Sequence, residues 1–148
     1  MRPDILLVED NGDEVDLAMR VLAKELPKCR VTRAKDGVEA LDYLASNELK
    51  SFPRVIFLDL KLPRLNGQEV LRVIKSDQKT KNIPVVVMTS SQEQRDVADC
   101  YALGANSYVV KPIDFREYFQ VISGIARYWL AFNQPFVHLV WPEYSDPQ

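Results

Sequence analysis

Five positions in the chain carry residue types suited to phosphoryl chemistry, and each stands at the end of a short apolar run. Glu9 and Asp10 follow Ile5-Leu6-Leu7-Val8, and Asp59 follows Val55-Ile56-Phe57-Leu58. Thr89 follows Val85-Val86-Val87-Met88, and Lys111-Pro112 follows Ser107 to Val110. Three carboxylates brought close together either raise one another's pKa or require a cation between them. Oxygen ligands with no His or Cys nearby favour a hard ion, and one or two carboxylates completed by water suit Mg²⁺. A carboxylate beside such an ion can attack phosphorus and form an aspartyl phosphate. That group adds roughly −1.5 to −2 of charge, for which a fixed ammonium (Lys111) and a hydroxyl donor (Thr89) are fitting partners. Each residue alone has a plainer reading. Asp10 is a helix cap by type, Lys111 a surface lysine, and Thr89 with Ser90 and Ser91 a cap for the next helix. Their recurrence at the same end of successive runs favours function.

These positions need a scaffold, and the chain supplies an alternation of strands and helices. Ile5 to Val8 is too short for a helix and reads as a buried strand. From Asp13, the spacing of Val15, Ala18, Leu22 and Leu26 gives a helical stripe that ends at Pro27. Cys29 to Ala34 is a weaker strand. A helix from Asp36 carries Val38, Leu41 and Leu44 on one face. Val55 to Leu58 is the clearest strand, and Lys61 to Gly67, with Pro63 and Asn66-Gly67, is a loop. A third helix is marked by Val70, Leu71 and Ile74, and a fourth strand runs from Val85 to Met88. Val97, Tyr101 and Ala102 belong to a fourth helix closed by Gly104. The series ends with a strand from Ser107 to Val110 and a long helix from Asp114 to about Phe132. Five strands alternating with five helices over short connections predict an α/β fold, a parallel sheet with helices on both faces. In such sheets the ligand site lies beyond the carboxyl ends of the strands, where the five positions fall.

Composition restricts the function classes. A chain of 148 residues suits one domain, residues 1–132, and can bury roughly 70% of its unfolded surface. The remainder, 133–148, reads as a C-terminal tail. A net charge of −2 argues against nucleic-acid binding, which usually brings a basic surplus. The longest apolar runs are far too short to span a membrane, so the expected location is cytoplasmic. Cys29 and Cys100 lack metal-ligand spacing and read as packing residues. One feature is uneven: Tyr43, Phe52 and Phe57 are the only aromatics before residue 101, and eleven follow.

An acidic pair, an Asp, a Ser/Thr and a Lys-Pro, in that order on a five-fold βα repeat, is similar to the receiver domain of bacterial response regulators. The likeness runs from about Asp4 to Tyr128. It implies a flavodoxin-like doubly wound sheet with strand order 2-1-3-4-5 and Asp59 as phosphoacceptor. It further implies Mg²⁺ held by Asp10 and Asp59, by Glu9 largely through water, and by the backbone carbonyl of Lys61. Thr89 and Lys111 would hold the phosphoryl oxygens, Lys111-Pro112 would be a cis peptide, and Tyr108 would act with Thr89 as the switch. The partner implied is a sensor histidine kinase. A narrower group, stand-alone regulators paired with phytochrome kinases, is resembled through Glu9-Asp10-Asn11, the Leu58 to Pro63 loop, Met88 to Ser91 and Tyr108 to Pro112.

Other classes fit less well. A phosphatase of the haloacid dehalogenase type would place its nucleophile after the first strand, usually as Asp-x-Asp, whereas Asp59-Leu60-Lys61 lacks the second acid. A flavin carrier would not place Glu9 and Asp10 where its phosphate must sit. A receiver-like module that binds partners without phosphorylation stays open. The last helix bears on output. Residues 115 to 132 hold twelve apolar members in eighteen, more than one buried stripe needs. Phe115, Phe119, Ile122, Ala126 and Trp129 form a stripe expected to cover the sheet. Tyr118, Val121, Ile125, Tyr128 and Phe132 form a second, expected to meet a partner subunit across a twofold dimer. The tail segment Phe136 to Trp141 would be costly to leave in water and is expected to join that surface, with His138 as a structural residue.

Overall fold

The computed structural model describes residues 4–46 and 52–134. Five parallel strands form one sheet: β1 (Ile5–Val8), β2 (Val31–Ala34), β3 (Val55–Leu58), β4 (Val85–Thr89) and β5 (Ser107–Val110). Their order is β2-β1-β3-β4-β5, the flavodoxin-like arrangement that the family resemblance implies. Connecting helices are α1 (Gly12–Glu25), α2 (Gly37–Ala45), α3 (Gly67–Ser76), α4 (Gln94–Ala102) and α5 (Phe115–Arg127). No helix among the described residues is long and apolar enough to cross a membrane.

The apolar runs are continuous because both faces of the central strands are covered. Alternate residues divide the core in two. Leu6, Val8, Ile56, Leu58, Val85 and Val87 pack with Ala40, Leu44, Val70, Leu71, Ile74 and Cys100 of α2, α3 and α4. Ile5, Leu7, Val55, Phe57, Val86 and Met88 face Val15, Ala18, Val21 and Leu22 of α1 and Tyr118, Ile122 and Ala126 of α5. The in-register pairs Val8–Leu58 and Leu58–Val87 align the strand ends, so Glu9 and Asp59 leave the sheet side by side.

Three expectations about α5 are corrected. Its α-helical hydrogen bonding stops at Arg127, and Tyr128–Phe132 form a π-helical turn closed by the Asn133 amide donating to the Tyr128 carbonyl at 2.6 Å. Tyr118, assigned to the interface stripe, is buried instead. The ridge that enters the core runs i, i+4, i+8 through Tyr118, Ile122 and Ala126, so the packed face lies between the two stripes. Phe115, expected to cover the sheet, is 62% exposed. Val121 and Ile125 are half-buried, while Tyr128 and Phe132 are exposed. Phe136, His138 and Trp141 lie outside the described residues.

Candidate functional site

The site is assembled by the turns that follow β1, β3, β4 and β5. Asn11 caps α1, its side-chain oxygen accepting from the amides of Asp13 and Glu14, which fixes the exit of the chain from Glu9 and Asp10. The Asn11 amide in turn donates to Glu9 Oε2 at 3.2 Å. From β2, Arg33 steadies the same turn: Nε donates to the Glu9 carbonyl at 3.1 Å and Nη2 to the Asp10 carbonyl at 3.2 Å. After β3 the chain turns so tightly that Gly67 lies against it. A Cβ on Gly67 would fall 2.2 Å from the carbonyl oxygen of Asp59, so only glycine fits.

Glu9, Asp10 and Asp59 each offer a carboxylate oxygen, and these oxygens all lie within 4.8 Å of one another. Glu9 and Asp59 are buried and Asp10 is exposed. The donor set is all oxygen, with one carboxylate open to water. That composition fits a small hard divalent ion which keeps several waters. Lys61 presents its amide to Asp59 Oδ1 at 3.4 Å, and the residue is exposed.

Lys111 closes the cluster from β5. Its Nζ lies 2.7 Å from Glu9 Oε1, 2.7 Å from Glu14 Oε1 and 3.5 Å from Asp59 Oδ2. Burial favours its neutral amine, but the bonds to Glu14 and Glu9 and the charge on Asp59 outweigh that and hold the ammonium above the ordinary lysine range. Burial also pushes Glu9 up to about 7, against the opposing bond from Lys111. The Lys111–Pro112 peptide is trans, like every other among the described residues, which corrects the cis expectation. The trans form of an X–Pro bond is favoured by about 0.5–1 kcal/mol, and from it Lys111 already reaches all three carboxylates.

Thr89 is fully buried at the end of β4, one residue further along the strand than the apolar run suggested. Its Oγ1 accepts from the Ser91 amide at 3.3 Å. Tyr108, on β5, packs partly against the core and its hydroxyl donates to the Ser91 carbonyl at 3.0 Å. Burial raises that hydroxyl above its ordinary pKa. Tyr118 lies beneath the cluster in a small space that it shares with Glu9, Glu14, Asp59 and Lys111, and burial pushes its hydroxyl up to about 12. Thus the fold brings together Glu9, Asp10, Asp59 and Lys111, and ties Thr89 to Tyr108 through Ser91. Glu14, Arg33 and Tyr118 join the site without having been expected there, because packing of α1, β2 and α5 on the sheet brings them in.

Comparisons with known proteins agree with this geometry. The response regulator receiver domain family matches residues 5–123. The chain is 37% identical to response regulator Rcp1 of Synechocystis over 129 residues, 85% of this chain and 88% of that one. It is 40% identical to the probable methanogenesis regulatory protein FilR2 of Methanothrix harundinacea over 132 residues, covering 88% and 85%. Among solved structures, the phosphorylated cyanobacterial phytochrome response regulator RcpA superposes with a TM-score of 0.85 at 37% identity, covering 91% of this chain and 99% of that one. The five positions gathered at the sheet edge all fall within the family match, and the chain belongs to the response regulator receiver domain family.

Proposed function

We propose that the protein accepts a phosphoryl group on Asp59 from a sensor histidine kinase, in a Mg²⁺-dependent reaction, and signals through a changed interaction surface. The observation that carries this reading is the buried Asp59 carboxylate, flanked by Glu9 and Asp10 oxygens within 4.8 Å and by the Lys111 ammonium at 3.5 Å. An Asp59 oxygen attacks phosphorus and the bond from phosphorus to the kinase's imidazole nitrogen breaks, that nitrogen keeping the electron pair. Water later attacks the acyl phosphate, returning the carboxylate and releasing inorganic phosphate. Glu9, Asp10, Asp59 and the Lys61 carbonyl would hold Mg²⁺, which supplies Lewis-acid neutralisation of the transferring group. Lys111 pairs with the phosphoryl oxygens and Thr89 donates its hydroxyl to them. The chain turns over only its own phosphoryl group and is not an enzyme acting on other substrates.

The similarity to RcpA, described as a cyanobacterial phytochrome response regulator, supports a phytochrome as the kinase. Residues 1–132 form the receiver and 133–148 a tail that joins its output surface. That surface is the α4–β5–α5 face, where Tyr101, Val110, Ile113 and Phe115 are exposed, with Tyr128 and Phe132 further along. Two copies would close on this face as a dimer in the cytoplasm, with neither nucleic acid nor membrane as partner. Incubation with a small-molecule phosphoramidate and Mg²⁺ tests the chemistry. Label should appear on the wild type, vanish with chelation, and be absent from an Asp59→Asn variant. A chain that takes no label, or an Asp59→Asn chain that does, points to a module working without phosphorylation.

A further inference from the structure

Away from the carboxylates, the polar contacts of the loop between β4 and α4 converge on one residue. The Ser91 amide donates to Thr89 Oγ1 at 3.3 Å, and the Ser91 carbonyl accepts from the Tyr108 hydroxyl at 3.0 Å. The Ser91 hydroxyl donates to Asp96 Oδ2 at 2.5 Å and accepts from the Glu93 amide at 3.3 Å. Thr89 and Tyr108, the pair that the resemblance implies as the switch, are therefore joined through a single residue, Ser91. Asp96 sits in the first turn of α4, a helix whose N-cap residue Glu93 makes no side-chain cap. Among the described residues, the side-chain hydrogen bonds that reach this loop from β5 and α4 both end on Ser91. A polar cavity of about 480 Å³ opens against it, lined by Lys61, Ser90, Ser91, Gln92, Glu93 and Asp96. A hydrogen bond to an ionised acceptor is roughly twice as strong as a neutral one, so the Asp96 contact dominates the loop's restraint.

We propose that Asp96, acting through the Ser91 hydroxyl, is a positioning residue for the switch: it fixes the carbonyl that receives Tyr108 and so sets how often the ring keeps the partly buried, Ser91-bonded position. Only the choice of ligand that drives the switch rests on the phosphoacceptor reading. Without the Asp96 contact the Ser91 peptide is free to turn, the Tyr108 hydroxyl loses its fixed acceptor, and the ring spends more time in solvent. A ligand that favours the Ser91-bonded position of the ring then binds more weakly by the fraction of that position lost.

The test follows the Tyr108 ring by NMR in the full chain, its signal assigned with Tyr108→Phe. Without ligand, Ser91→Ala and Asp96→Ala should each move the signal toward that of a freely exposed tyrosine. The double variant should move it no further, since the two act through one contact. Asp96→Asn, which keeps an acceptor, should restore most of the wild-type signal, and Asp99→Ala on the same helix should leave it in place. With Mg²⁺ and beryllofluoride, the concentration at half-saturation should rise about tenfold in Ser91→Ala and Asp96→Ala. An unmoved Tyr108 signal in both variants overturns the proposal, as does an equal movement in Asp99→Ala. If the ligand-free signals move as expected while the wild type binds no beryllofluoride by ¹⁹F NMR, the phosphoacceptor reading fails and the positioning role of Asp96 stands.

Discussion

Lys111 is contested between three acids, and its geometry bears on how the site loads. Its ammonium is 2.7 Å from both Glu9 and Glu14 but 3.5 Å from Asp59, so pairing with a phosphoryl group on Asp59 means loosening one carboxylate. Glu14 is the one nearer solvent, with 32% of its side chain exposed. Replacing Glu14 by Gln removes a competing charge without leaving a buried ion unpaired. Beryllofluoride should then bind about three- to fivefold more tightly by ¹⁹F NMR, the scale of a partly exposed ion pair; unchanged or weaker binding would show that Glu14 orients Lys111 rather than restrains it. Glu9 gives a second handle. Burial carries its carboxyl up to about 7, and a cation binding there must displace the proton. Below pH 7 the proton competes, and above it the carboxylate is free. Mg²⁺ affinity by calorimetry should therefore be about tenfold weaker at pH 6 than at pH 8, and a flat profile would remove Glu9 from the ligand set. The sequence made the acids at the strand ends legible, because a strand end is a local feature. Glu14 and Arg33 were not legible as site residues, because their partners are set by the packing of α1 and β2 on the sheet, which no local pattern encodes.

Elements place these groups through close contacts that tolerate little change. The loop after β3 is held on both sides by glycines: a Cβ on Gly37 would meet the Leu65 carbonyl at 2.3 Å, and one on Gly67 the Asp59 carbonyl at 2.2 Å. Arg64, at the bend between them, has φ of 68°, in the left-handed region that is strained for a residue with a Cβ. Gly67→Ala should push the Asp59 peptide out of place, costing about 1–3 kcal/mol in urea unfolding and slowing phosphorylation more than it lowers stability would predict. Gly124→Ala is the control, because a Cβ there meets nothing within 4 Å; the helix should gain about 0.5–1 kcal/mol with phosphorylation unchanged. If both variants phosphorylate normally, the Gly67 contact does not position Asp59. Four apolar runs were readable as β1, β3, β4 and β5 because such runs have few alternatives in a short chain. The register of α5 was not. Period and apolar content place two adjacent stripes on that helix, and only the packing against α1 and the sheet selects the ridge through Tyr118. The π-helical turn after Arg127 likewise leaves no mark in the period of the sequence.

At the scale of the whole molecule, the aromatic surplus of the last third divides by burial. Tyr118 closes the floor of the site, Tyr108 links β5 to the β4–α4 loop, and Trp129 packs partly against the α1–α5 core. Phe115, Tyr128 and Phe132 stay exposed, and Ile113 is wholly so. Ile113 and Phe115, this exposed at the end of α5 nearest the site, are hard to account for as scaffold, since the scaffold's two cores are complete without them. They lie on the same edge as Tyr108, so a change in the β4–α4 loop reaches them through β5 without crossing the core. Phe115→Glu should place a charge in the middle of any dimer built on this edge and weaken self-association at least tenfold in sedimentation velocity, with unfolding by urea unchanged because the side chain is outside the core. A chain ending at Phe132 tests the tail separately. If Phe115→Glu dissociates the dimer and truncation does not, the α4–β5–α5 face carries association alone; if only truncation does, association belongs to the tail and the exposed edge is left for the kinase or a downstream partner. Equal sedimentation of wild type and both variants as monomers would refute the dimer and leave the edge as a surface for a different protein.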